Sequence, residues 1–104
     1  MIWGVILLAG LLEIVWAIGL KLSEGLSKPL ASVVTVLAMV LSVFLLGLAM
    51  RSLPASTAYA VWVGIGVVGT AITGHLLLAE PIRLAGAFSI GLIVLGIVGL
   101  KLSA

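Results

Sequence analysis

Charge is the scarcest commodity in this chain. Of its 104 residues only 8% are Asp, Glu, Lys or Arg, against about 25% in a soluble domain, and the mean hydropathy is +1.54. A domain built for water is thereby excluded. Cysteine is absent, which rules out a disulfide framework, a thiol nucleophile and a thiolate metal site. One histidine and three carboxylates are too few and too scattered for a metal cluster. No nucleophile–base pair and no cofactor motif is present, so neither enzyme chemistry nor a cofactor is expected. The net charge of +2 has no Lys/Arg stripe behind it, which argues against nucleic acid.

What remains is apolar, and it is organised. Hydrophobic residues make up 64% of the chain. They fall into four runs, at about residues 2–22, 29–50, 54–78 and 84–100, each of the ~20 residues a helix needs to cross a bilayer. The expected fold is an all-α membrane protein with four transmembrane helices in a single domain over residues 1–104. Pro29 and Pro54 suit the starts of the second and third helices. The first run is read as a retained span, not a cleaved signal, because no basic stretch precedes it and Glu13 interrupts it.

Four spans leave both termini on one membrane side with the 51–53 break. That side carries Arg51 and Lys101, and the other carries Lys21, Lys28 and Arg83. Orientation follows an excess of Lys/Arg in short loops, and here the excess is one residue. Such a chain is expected either to insert both ways up or to have a weak bias settled by something other than loop charge.

Glu13 is the exception inside the apolar material. It lies 11 residues from Ile2 and 9 from Leu22, close to the midplane of a ~30 Å hydrocarbon layer. A charge at that depth costs about 2.5–3.5 kcal/mol on insertion scales, so an intramembrane carboxylate is first a functional candidate. Ser42 lies 8 residues from Met50, and Trp62 lies 8 from Pro54. Both are thus level with Glu13 to within about one helical turn. Ser42 ends a polar face of Ser32, Thr35 and Met39 at helical spacing. Trp16 follows Glu13 by three residues and Tyr59 precedes Trp62 by three, each pair sharing a helix face. Tryptophans usually keep to the interfacial belts. Two of them at depth point to an aromatic surround for a carboxylate, a natural receptor for a planar cation.

Gly64 and Gly66 are candidate points of helix flexibility or, equally, of close helix packing. Ser89 and Gly96, seven apart, are candidates for seating a partner helix. His75 is expected at the membrane interface, and Glu24 and Glu80 as solvated loop charges.

The motifs Gly10-x-x-Glu13-x-x-Trp16-Ala17, Ser42, and Pro54-x-x-x-Ala58-Tyr59-Ala60-x-Trp62-x-Gly64-x-Gly66 resemble those of the small multidrug resistance family of bacterial transporters. Trp16 and Glu80-Pro81 resemble its guanidinium-exporter branch, and Ser89 departs from the glycine of the drug exporters. The resemblance implies a multi-pass protein of the bacterial inner membrane that forms an antiparallel, dual-topology homodimer. It also implies proton-coupled antiport of guanidinium-type organic cations. Glu13 would bind proton or substrate in mutual exclusion, Ser42 would hold the carboxylate or donate beside it, Trp16 and Trp62 would wall the site, and Tyr59 would act as a gate or hydrogen-bond partner. The alternatives are a quaternary-ammonium exporter of the same family and, from a different class, a structural or channel-like membrane oligomer.

Overall fold

The computed structural model describes residues 1–103. Four α-helices account for nearly all of them: α1 (Ile2–Leu22), α2 (Pro29–Ala49), α3 (Ala55–Leu78) and α4 (Leu84–Ser103). Each has the length and composition of a membrane span. In hydrocarbon no water is available to the backbone, so an apolar segment of this length satisfies its own amides only as a helix.

The helix ends differ slightly from the sequence expectation, and each difference has a local cause. Pro54 is extended (φ −56°, ψ 143°) and stands before α3, its carbonyl accepting the Ala58 amide at 3.0 Å. Met50 follows α2, because the turn through Arg51 and Ser52 already closes on Leu48 and Ala49. Beyond Leu100, α4 continues to Ser103. A Lys side chain can carry its charge to the membrane surface without ending the helix, and the Lys101 ammonium sits 5.9 Å from the Trp3 ring.

The α1–α2 turn is built on Ser23, which is fully buried. Its hydroxyl donates to Leu20 O at 3.2 Å and accepts the Leu26 amide at 3.0 Å. At the end of α3, Ala79 turns left-handed (φ 55°), and the Glu80 amide bonds Gly74 O at 3.2 Å.

α1 is the hub. It packs along both α2 and α3, whereas α2 and α3 barely touch and α4 packs closely on α3 only. The shared core is Ile6 and Ala9 of α1, Leu46 and Ala49 of α2, and Ala58, Val61 and Trp62 of α3. Alanine recurs in it, once on each of the three helices, because lipid is as apolar as a helix face and close backbone approach must supply packing energy. The molecule measures 41 × 34 × 17 Å, and its thinnest dimension is under two helix diameters. It is a slab of helices, and α4 buries none of its described residues. Ser89 and Gly96 lie on that uncovered helix. The Ser89 hydroxyl is turned back to Ala85 O at 2.9 Å, and Gly96 has open space around it.

The α1–α3 seam yields a direct test. A methyl group on Gly10 would stand 2.6 Å from Ile65 Cγ2 and 2.8 Å from its Cβ, whereas one on Gly47 would meet nothing within 4 Å. Overpacking costs about 1–3 kcal/mol, and a helical Gly→Ala change gains about 0.5–1 kcal/mol. Gly10→Ala should therefore lower the unfolding midpoint in detergent and Gly47→Ala should raise it.

Candidate functional site

Glu13, Trp16 and Ala17 project from one face of α1, at the helical spacings i, i+3 and i+4. Opposite them α3 presents Val63, Gly66, Val67, Thr70 and Ala71, and the two sets line an open cleft of about 440 Å³ with Glu80. As the first and third spans, α1 and α3 run in the same direction. The cleft is therefore layered, with Glu13 and Gly66 at one level and Trp16, Ala17, Thr70 and Ala71 a turn further on. Gly66 is what lets the carboxyl lie there, since a Cβ on Gly66 would fall on Glu13 Oε1.

Three buried polar atoms in this cleft have no hydrogen-bond partner among the described residues: Glu13 Oε1, Trp16 Nε1 and Thr70 Oγ1. An unmet buried donor or acceptor costs about 1–3 kcal/mol, and such groups are rare in folded proteins. Here three share one cleft.

A second polar cluster supports the first from behind. Ser42 is fully buried. Its hydroxyl donates to Ala9 O at 2.7 Å and accepts Trp62 Nε1–H at 2.9 Å. Ala9 O is also the acceptor for the Glu13 amide in the helical i→i−4 ladder. Ser42 thus joins α1, α2 and α3 in one network, one turn from the carboxyl. Within one chain the hydroxyl proton of Ser42 goes to Ala9 O and not to the Glu13 carboxyl. Trp62 is buried by this network, and Tyr59 packs on it at 5.6 Å between ring centroids while staying more than half exposed.

Within one chain the expected residues therefore fall into two groups. Glu13 and Trp16 share the cleft, whereas Ser42, Trp62 and Tyr59 form the network beside it. Gly64 and Gly66 both occupy close approaches, Gly64 against Ile97 of α4 and Gly66 against Glu13, within a regular helix.

The two charges expected to be solvated in loops, Glu80 and Glu24, each have a lysine nearby. The Glu80 carboxylate lines the cleft and approaches the Lys21 ammonium at 3.7 Å. His75 is exposed, and its Nδ1–H donates to Glu80 O at 2.8 Å, capping the end of α3. Glu24 pairs with Lys28 at 3.3 Å, one turn on, an exposed pair of little energetic weight. Sequence reasoning passed over Val63, Val67, Thr70 and Glu80 as cleft residues. The signal available for the α3 set was its spacing, since 63, 66 and 70 recur on one helix face.

The model of the family described as Small Multidrug Resistance protein matches residues 1–93. Among relatives, the chain is 59% identical over 104 residues to a protein of Yersinia pseudotuberculosis serotype I (strain IP32953) named "Guanidinium exporter", with both chains covered completely. It is 58% identical over 104 residues to a "Guanidinium exporter" of Salmonella typhimurium (strain LT2), covering all of this chain and 99% of the relative. A "Guanidinium exporter" of Citrobacter freundii is 58% identical over 103 residues, with 99% and 98% covered. Four spanning helices and bacterial relatives along its full length make it a multi-pass protein of the bacterial inner membrane. With its motifs, its helices and this match in agreement, the chain belongs to the small multidrug resistance family.

Proposed function

We propose that this protein is a proton-coupled antiporter that exports guanidinium and small substituted guanidinium cations, working as an antiparallel homodimer. The observation that carries the reading is Glu13, a carboxyl at mid-span held against Gly66 with an oxygen unmatched, facing a cleft shared with Trp16. The names of the relatives support the same substrate class.

The mechanism follows from charge compensation. A bare carboxylate among apolar helices is expensive, so a proton or a cation must accompany it. A protonated Glu13 offers no charge and fewer acceptor sites, and an ion-paired Glu13 has no room for the proton. The two guests therefore exclude each other. Alternating exposure of such a site exchanges one guest for the other. A guanidinium ion is planar and can present two parallel N–H groups to one carboxylate. Trp16 supplies an aromatic wall on which a flat, weakly hydrated cation can stack. Ser42 keeps Trp62 and the Ala9 turn of α1 in register, so its effect on the site is positional. Tyr59, exposed beside Trp62, is the side chain free to swing as a gate, and Gly64 and Gly66 are the backbone points about which α3 would bend.

Size and shape support the dimer. Secondary transporters commonly pair inverted repeats around a midplane site, and 104 residues supply one such half. A slab 17 Å thick with an uncovered α4 has faces for a second copy, with Ser89 and Gly96 small enough for close approach. The near balance of loop charges, two against three, suits a chain found in both orientations.

Two measurements test this. In sealed liposomes, an inward guanidinium gradient should drive proton movement at a fixed stoichiometry, and Glu13→Gln should abolish it while the dimer persists; uncoupled current in the wild type would point to a pore instead. The natural absence of cysteine permits a clean topology assay with Ser52→Cys. A membrane-impermeant maleimide should label roughly half the molecules from outside intact cells, whereas labelling of nearly all or none would mean a single orientation.

A further inference from the structure

Thr70 is the cleft residue that neither the motifs nor the proposed mechanism accounts for. A serine or threonine inside a helix ordinarily returns its hydroxyl to the carbonyl four residues back. This chain does so at Ser32 to Lys28 O, at Thr35 to Ala31 O (2.7 Å) and at Ser89 to Ala85 O (2.9 Å). Thr70 forms no such bond to Gly66, and its Oγ1 is buried without any partner among the described residues. In a segment surrounded by apolar side chains, a hydroxyl left unmatched is costly unless something arrives to match it.

Its position says what that is. Thr70 lies one turn along α3 from Gly66, the point at which Glu13 meets that helix, and level with Trp16 on the parallel helix α1. A flat cation whose first edge is held by the Glu13 carboxylate and whose face lies on Trp16 turns its remaining nitrogen along the cleft, toward the Thr70 level.

We propose that the Thr70 hydroxyl is a specificity-determining contact that accepts an N–H from the far side of a guanidinium-type cation bound at Glu13. The proposal rests on the reading of the cleft as a cation site and deepens it. Two acceptors on opposite edges select cations that keep N–H groups on both. A site that can hydrogen-bond a guest favours it over an analogue lacking the donor, because the analogue leaves the unmatched hydroxyl as it was and gains no bond. Tetraalkylammonium ions have no N–H and gain nothing from Thr70. The aromatic wall and the carboxylate accept either kind of cation, so Thr70 is the element that tells them apart.

The test is guanidinium affinity, measured by calorimetry on the purified full-length dimer, for the wild type, Thr70→Val, Thr70→Ser and Glu13→Gln. Valine keeps the shape and removes the hydroxyl; serine keeps the hydroxyl and removes the methyl. Thr70→Val should weaken guanidinium binding on the order of tenfold, the worth of one hydrogen bond to a charged group, while Thr70→Ser stays within about twofold. Tetramethylammonium should bind the wild type and Thr70→Val alike. An unchanged affinity in Thr70→Val, or the reverse order with serine the weaker, overturns the proposal and makes Thr70 a packing residue. If Thr70→Val does not assemble, Thr70→Ala against Thr70→Ser makes the same comparison. The Glu13→Gln arm separates the two ideas. Wild-type binding that requires Glu13 but ignores Thr70 overturns only the threonine contact, whereas wild-type binding indifferent to Glu13 overturns the cation site and the contact together.

Discussion

A carboxyl group in the hydrocarbon layer needs a neighbour that leaves room for it, and Gly66 is that neighbour. With no side chain on α3 at this point, the Glu13 carboxyl lies against the helix rather than being displaced from it. Much of the surrounding structure keeps that approach close. Gly10 seats Ile65 a turn away, and small residues on α1, α2 and α3 hold the helices at backbone distance. Ser42 ties the Ala9 turn of α1 to Trp62 of α3. Each of these contacts contributes modestly alone; together they fix where the one mid-span charge can sit.

The proposed transport chemistry is a consequence of that placement more than of any reactive group. No nucleophile is activated and no bond is made. A buried acid demands a compensating proton or cation, and the site's shape decides which cations qualify. In the proposed dimer the uncovered α4 and the thin slab would be closed by a second copy in the opposite sense. The carboxyls of both copies would then be drawn toward one shared centre.

The large-scale fold was legible in the sequence because hydropathy at this level leaves few options: four runs of spanning length become four helices. Helix ends were less so. Lys101 reads as a stop, but a long amphipathic side chain can reach the surface while its backbone remains helical, and α4 runs on to Ser103. Glu13 and Trp16 were legible as a pair, since three residues along a helix is one face. The partners of Ser42 were not. Depth alone made it level with Glu13, but which acceptor its hydroxyl takes depends on the crossing of three helices, and that crossing assigns it Ala9 and Trp62. Glu80 read as a free loop charge because nothing in the sequence says that Ala79 turns left-handed and carries it back over the cleft toward Lys21. Thr70 was passed over because a threonine in an apolar helix usually bonds its own backbone, and only the folded arrangement reveals that this one does not.

The central claim is that Glu13 cannot hold a proton and a cation together, and proton release upon binding tests it most directly. Adding guanidinium to the purified protein in weakly buffered detergent solution near neutral pH should liberate protons. The apparent affinity should weaken as the pH falls, by up to about tenfold per unit for each proton displaced, and Glu13→Gln should remove both effects. Guanidinium binding that releases no protons and keeps one affinity across the pH range would contradict the account.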